Sequence, residues 1–394
     1  MKITYGITVY WPSINGASIF AHEWANGIAK MHDVSVVTQS KENDHDWLFT
    51  PTLDSKGPVE YMDGNVRVSL IAPNRFEKKL LWPVANFHNF IKPLSSLALR
   101  SIFRKKIHTQ MLGSDIAHNY FLDMDYFNSL IFEYAHSANI PYVVTPFIHA
   151  LDKREVYNNF RIELMKKADA VIALTCAEKK WLSERGIKEN RIHVVSGGVR
   201  LSSEYNATAF RVKYGIKGKM VLFMATKRKY KGYSYILEAM NEVWKDEPET
   251  YFVFIGQNTK ESLDVFGHYR DRRVIEIVPL EPYSKEKASA FAACDIFCMP
   301  STMESFGLVF AEAWIMSKPV IGGNCIATKE LINEGVDGFT VDQDKKVIAN
   351  KLLILLKDDI LRKQMGEAGK KKALENFNWN KSVEQLNLVY SALN

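Results

Sequence analysis

Short apolar runs alternate along the chain with amphipathic stretches of helical length. "KITYGITVYW" (residues 2–11) is followed by "SIFAHEWANGIAKMH" and then by "DVSVVTQ". Further on come "DIAHNY", "SLIFEYAHSAN", "IPYVVTPF", "FRIELMKKA", "DAVIALT", "CAEKKWLSERG" and "RIHVVSGGV". Runs rich in β-branched and aromatic residues read as strands, and the stretches between them as helices. Such regular succession predicts parallel sheets joined by crossover helices. The pattern restarts after "SGGVR", with "KMVLFMAT", "YSYILEAMNEVWKD", "TYFVFIG", "RVIEIV", "KEKASAFAAC", "DIFCMPS", "FAEAWIMS" and "PVIGGN". A second α/β unit is therefore expected near residue 200, connected through Gly197–Gly198 and the polar stretch that follows. The expected division is 1–198 and 199–376, with a terminal amphipathic helix at 377–394. Two doubly wound units place a ligand at the carboxyl ends of their strands, in the cleft between them.

Length supports two units, since 394 residues exceed what one core normally holds. The net charge of +6 permits anionic ligands or a membrane surface but is too weak to argue nucleic acid. The four cysteines, Cys176, Cys294, Cys298 and Cys325, lie among apolar residues without a Cys/His pair to complete a zinc site. They read as buried thiols in a reducing compartment. "MKITYGITVYWP" shows no signal-peptide cleavage pattern, and no apolar run reaches the ~18 residues of a spanning helix. The expectation is a cytoplasmic protein, soluble or peripheral to the membrane.

Residues 299–321, "MPSTMESFGLVFAEAWIMSKPVI", carry Glu304 and Glu312 in an otherwise almost wholly apolar run. "SFGLVFAEAWIMS" reads as a helix ending before Pro319, with Glu304 just ahead of it and Glu312 about two turns inside. At ~1.5 Å rise per residue the two carboxylates stand roughly 12 Å apart along the axis. Hydrolases that use two carboxylates on one bond hold them within about 6.5–9.5 Å, so shared acid/base work is disfavoured. The helix start between them offers the backbone N–H groups of Ser305, Phe306, Gly307 and Leu308, an anion site suited to phosphate. A ligand with phosphates in the middle and hydroxyl-rich groups at both ends is a nucleotide-sugar, its sugar reaching Glu304 and its ribose Glu312. The simpler alternative is that Glu304 caps the helix and Glu312 is a buried ion-pair partner.

The stretch Glu304-Ser305-Phe306-Gly307 through Glu312, followed by "KPVIGGNCIATKELINEGVDGFTV", resembles the donor-site signature of the retaining group 1 glycosyltransferases of family 4. "YWPSINGAS" resembles their N-terminal glycine loop, with Gly16-Ala17 in place of the usual glycine pair. "TKRKYKGYSYILEAM" resembles their diphosphate-holding Arg…Lys-Gly element, and "NFNWNKSVEQLNLVY" the C-terminal helix that returns to the first domain. The resemblance spans essentially the whole chain. It implies the GT-B fold, two Rossmann-like domains facing each other across a cleft, with acceptor bound by the first and donor by the second.

In the basic run Lys227, Arg228, Lys229 and Lys231, the resemblance matches Lys231, just before Gly232, to a diphosphate ligand. The family's arginine position is here Thr226, so Lys227 or Arg228 must substitute, and Lys227 is preferred. A basic loop in water is the plainer reading of the run. In "TPFIHALD" the residues Phe147, His149 and Asp152 lie near the family's first-domain histidine, and His149 is the candidate for a hydrogen bond to the reacting sugar. Apart from the resemblance, a lone histidine there reads as structural, as do His22 and His118, which could also lie on the acceptor side. Asp123-Met124-Asp125 matches the Asp-x-Asp metal pattern of the other main glycosyltransferase fold, but without context; the resemblance implies no metal and no cofactor. Residues 75–108 hold eight Lys/Arg against one acid, interleaved with Leu, Trp, Phe and Ile. The segment either packs on the first sheet or lies on an anionic membrane.

The resemblance thus implies a retaining transferase moving a hexose-type sugar from a UDP- or GDP-sugar to a hydroxyl of a glycan or lipid-linked acceptor, in cell-surface polysaccharide or glycolipid synthesis. The candidate catalytic residues are His149, Glu304 and Lys231. Gly16, Lys227, Arg228, Ser305, Phe306, Gly307, Leu308 and Glu312 are added for donor binding. A nucleotide-sugar epimerase of the same architecture and a non-catalytic partner subunit stay open beside it.

Overall fold

Strands buried on both faces need no alternation, and the apolar runs of this chain form such strands. The computed structural model describes all residues except 42–56, 88–91, 121–123 and 149–158. The chain divides into two units, between Ser196 and Gly197 and again between Asn378 and Trp379.

The first unit contains eight strands: β1 (Lys2–Gly6), β2 (Asp33–Thr38), β3 (Val59–Asp63), β4 (Val66–Leu70), β5 (Ile116–Tyr120), β6 (Tyr142–Thr145), β7 (Ala170–Ala173) and β8 (Ile192–Val194). Their order is β3-β4-β2-β1-β5-β6-β7-β8. All neighbours are parallel except β3 and β4, an antiparallel pair at the edge. The order reverses between β1 and β5, and the helix Gly16–Ile28 follows β1.

The terminal helix Trp379–Leu393 belongs to this first unit. It lies on Gly16–Ile28, where Trp24 Nε1 donates to Ser382 Oγ at 2.7 Å. Gly27 lets the two helices approach, since a Cβ there would stand 2.3 Å from a Val383 methyl. Tyr390 reaches deeper, to His118 Nδ1 at 2.5 Å and to the Tyr5 hydroxyl at 3.0 Å.

The second unit has six parallel strands, β9 (Met220–Met224), β10 (Tyr251–Ile255), β11 (Val274–Ile277), β12 (Ile296–Met299), β13 (Val320–Gly323) and β14 (Gly338–Val341). Their order is β11-β10-β9-β12-β13-β14. Counted within the unit this is 3-2-1-4-5-6, the dinucleotide-binding order, which reverses between β9 and β12. Helices cover both faces of the sheet, and Phe223, Phe297, Phe310, Trp314 and Tyr233 fill the core.

Candidate active site

At the reversal point two loops leave adjacent strands in the same direction. One, 225–231, follows β9; the other, 300–307, follows β12. Glycine is required where they touch: Gly232 has φ +82°, and a Cβ there would lie 2.6 Å from the Pro300 carbonyl. The Thr302 amide donates to the Tyr230 carbonyl at 2.9 Å, and Gln343 Nε2 donates to both the Tyr230 and Pro300 carbonyls. The loops are thus one rigid platform. On it Lys231 Nζ donates to Glu304 Oε1 at 2.6 Å, with the side chains 17% and 7% exposed. Burial works to discharge Lys231, but Glu304, helped by Tyr230, outweighs it and holds the ammonium above its ordinary value. A carboxylate and a cation are therefore presented together where two strand ends diverge.

The helix after this platform begins later than its sequence suggests. It spans Leu308–Ile315, with Gly307 as its cap at φ +86° and no side-chain cap. Ser305 and Phe306 precede it. Phe306 is buried with its ring edge-on to Phe377 at 5.5 Å, so its side chain packs the core. The first-turn N–H groups that a side chain leaves uncapped are those of Leu308 and Val309, since Phe310 N already donates to the Gly307 carbonyl. Glu312 then lies just over one turn into the helix, not two, and Glu304 lies outside it. A separation taken from helical rise does not apply to this pair; their different partners are what separate them.

Glu312 is 7% exposed. Its Oε1 accepts from Lys287 Nζ at 2.5 Å, while Oε2 is buried with no hydrogen-bond partner among the described residues. Burial raises the carboxyl's pKa against the pull of the Lys287 ammonium. The ion-pair alternative for Glu312 thus describes half of the group. Lys287 was not among the sequence candidates, although the signal was present. In the helix Lys285–Ala293 it shares a face with Ala290, Phe291 and Cys294, all buried, so a charge occupies a core position.

The other cations separate. Lys227, the preferred stand-in for the missing arginine, turns its ammonium inward to the Gly256 carbonyl at 2.9 Å and Asn258 Oδ1 at 2.8 Å. Glu276 stands 3.5 Å away and the Lys227 side chain is only 1% exposed. Burial lowers its pKa, with Glu276 opposing. In this conformation Lys227 braces the ends of β10 and β11 and does not present its charge to solvent. Arg228, the other candidate, is half-buried.

In the first unit Gly16 opens the helix after β1 behind an Asn15 cap that accepts from Ser18 N. A Cβ on Gly16 would meet no protein atom within 4 Å, so the protein's own packing does not demand glycine there. His149, Asp152 and Asp123 lie outside the described residues. Phe147, two positions before His149, is buried with φ +51°. A bulky residue in that left-handed conformation is strained, as backbones at functional sites often are. Asp125 accepts from Arg161 Nε at 2.5 Å. His118 is fully buried, bonded to Tyr390 and Thr145, and burial pulls its pKa down to about 3. It is a structural histidine. His22 pairs with Asp63 at 2.7 Å under a stacked Trp11 ring.

The basic segment forms two helices, Arg75–Phe87 and Lys92–Met111. Leu81, Leu99, Phe103 and Ile107 are buried, while Phe76 (70% exposed), Trp82 (64%), Leu80, Leu94 and Leu97 face outward. No helix among the described residues is long and apolar enough to cross a membrane.

Fold and site together define a two-unit α/β protein whose second unit has the dinucleotide-binding strand order and carries a lysine–carboxylate pair at its reversal point. Comparison with known proteins assigns the family. Residues 14–203 match the model described as Glycosyltransferase Family 4, and residues 206–372 the model described as Glycosyl transferases group 1. The chain belongs to the group 1 glycosyltransferases of family 4 and has the GT-B fold. An uncharacterized 41.2 kDa protein in the cps region of Klebsiella pneumoniae is 30% identical over 52% of this chain and 55% of its own length. The phosphatidyl-myo-inositol mannosyltransferase of Mycobacterium leprae is 26% identical over 56% of this chain and 59% of its own. The matches thus span a little over half the length of these relatives. Among solved structures, Anabaena HepE in complex with UDP-glucose superposes with a TM-score of 0.76 at 17% identity, covering both chains entirely.

Proposed function

We propose that the protein transfers a hexose from a nucleoside diphosphate to a hydroxyl group, with retention at the anomeric carbon and without a metal. The carrying observation is the Lys231–Glu304 pair on the β9/β12 platform, directly ahead of the uncapped helix start at Leu308. The diphosphate sits on the Leu308 and Val309 N–H groups, and Lys231 and Arg228 neutralise the charge that develops as it leaves. Glu304 accepts from hydroxyls of the sugar, and Glu312 from the ribose. The bond from the anomeric carbon to the phosphate oxygen breaks, the acceptor oxygen bonds to that carbon on the same face, and the acceptor proton passes to the departing phosphate. His149 is kept as a hydrogen-bond donor to the sugar, and Gly16 as the point where the first unit admits a ligand closely. The mannosyltransferase relative and the UDP-glucose complex of HepE support a UDP- or GDP-linked hexose. The phosphatidyl-inositol named in the former supports a lipid-linked or glycan acceptor.

The testing experiment is a thermal-shift and hydrolysis screen against UDP-, GDP- and ADP-hexoses, followed by transfer of radiolabelled sugar. One nucleotide should stabilise the protein and release sugar slowly to water; stabilisation by none overturns the donor assignment. Recovery of an epimerised free nucleotide-sugar would instead favour the epimerase alternative.

The exposed Phe76, Leu80, Trp82, Leu94 and Leu97 beside Arg75, Lys79, Arg104 and Lys105 support a second element, docking of the first unit on an anionic bilayer. Co-sedimentation with phosphatidylglycerol vesicles, lost in F76S/W82S and weakened by salt, is the expected result. Equal binding to neutral vesicles would count against it.

A further inference from the structure

Two features of Lys287 make no sense as stability. It occupies the first turn of the helix Lys285–Ala293, where its own N–H is fixed by the Ser284 cap at 3.1 Å. A cation there opposes the positive end of the helix dipole. It is also nearly buried, at 7% exposure, against a carboxylate that is equally buried. An ion pair taken out of water in this way is commonly no better than two apolar side chains of the same volume. The pair is also incomplete, because Glu312 Oε2 has no partner among the described residues and leaving a buried acceptor unmade is unfavourable. Local rules broken together without a gain in stability mark a functional position.

We propose that Lys287 is a positioning residue for nucleoside recognition. By holding Oε1 of Glu312, it fixes the carboxylate through which the ribose hydroxyls of a nucleoside diphosphate are read. The proposal rests on the assignment of Glu312 to the ribose. Its geometry adds what the carboxylate alone lacks. Glu312 is fixed at one oxygen by a cation on a neighbouring helix, so rotation about its last side-chain bond is restrained before the nucleotide arrives. The same helix follows residues 278–284, a loop leaving the end of β11 in which Val278 is exposed. Lys287 thus joins the carboxylate to a segment fit to meet the base.

The test measures binding of UDP and 2′-deoxy-UDP, and of GDP and 2′-deoxy-GDP, by titration calorimetry. The proteins are the full-length wild type, E312Q, K287M and K287R, each confirmed folded by circular dichroism. Wild type should prefer one ribonucleotide over its deoxy form by about tenfold or more, the range for a hydrogen bond to a charged group. E312Q should abolish that preference. K287M should abolish it as well, while K287R should retain most of it. A merely structural lysine would weaken ribo and deoxy forms alike and leave the ratio unchanged, which overturns the proposal. Should K287M not fold, K287Q takes its place, with the ratio again deciding. No ribose preference in the wild type overturns the Glu312 assignment itself, and the proposal with it. A preference lost in E312Q but kept in K287M or K287Q overturns Lys287 alone.

Discussion

Two lysine–glutamate pairs about equally short, 2.6 Å and 2.5 Å, occupy the second unit in different settings. Lys231–Glu304 stands on the loops that follow β9 and β12, its lysine side chain 17% exposed and its carboxylate 7%. Lys287–Glu312 joins two helices and is closed off, with one oxygen unmatched. In the first pair attraction prevails and the lysine is held charged; in the second, burial prevails and the glutamate is pushed toward its neutral form. The contrast teaches that a short distance does not identify a role. The setting has to be read as well: loops after two adjacent strands in one case, two packed helices in the other.

The largest expected effect would break the comparison at the pair carried on loops. Under the proposed function, E304Q should lower sugar transfer by ~100-fold or more, by removing the carboxylate that accepts from the sugar hydroxyls and holds Lys231 in place. Transfer and urea denaturation measured on one preparation separate this loss from the cost of leaving Lys231 without its carboxylate. The buried pair should behave in the reverse manner. K287M alone should destabilise by about 3 kcal/mol, whereas K287M/E312L should return to wild-type stability or exceed it. A double variant as unstable as the single one would mean that the pair is structural. Smaller than either is the effect at the end of the platform: Gly307→Ala should lose about 2 kcal/mol of stability in urea denaturation, from its φ of +86° and a Cβ 2.7 Å from the Phe310 ring.

The smallest effect is one of pH and has two signs. Glu312 keeps its proton to a higher pH in the folded than in the unfolded chain. Its contribution to stability is therefore present at low pH and fades as pH rises from its unfolded value, near 4.5, through its raised folded value. Recognition of the ribose needs the ionised form and moves oppositely. As pH falls toward the unfolded value near 4.5, the ribo-over-deoxy preference should decline in wild type, and E312Q should show no such trend.

Much of this was legible before the fold was known, for identifiable reasons. Doubly covered parallel strands print as unbroken apolar runs, so "MVLFM" and "YFVFI" read directly as β9 and β10. Lys231 and Glu304 sit in loops that follow such runs, so their linear context placed them at strand ends, though not against each other. Lys287 did not, because its partner is 25 residues away on another helix. Only its place on an apolar face betrayed it. Lys227 shows the opposite limit: a run of four cations does not say which of them Asn258, in the loop after β10, and Glu276, on β11, will draw inward. The late start of the helix at Leu308 was set by the backbone of Gly307, whose left-handed conformation ends one path and begins another.

The terminal helix has a consequence for how the chain can be cut. Because Trp379–Leu393 is bolted to the first unit, through Ser382 and Val383 to Gly16–Ile28 and through Tyr390 to β1 and β5, the second unit is an insertion with both ends tethered. Its entry and exit run side by side, Val199 N donating to the Phe377 carbonyl at 3.1 Å. A fragment ending at residue 376 would therefore strip a packing face from the first unit while leaving the second nearly whole. To obtain the first unit by itself one would have to delete 197–378 and splice its termini, and a single protease cut near residue 203 should yield two pieces that still travel as one.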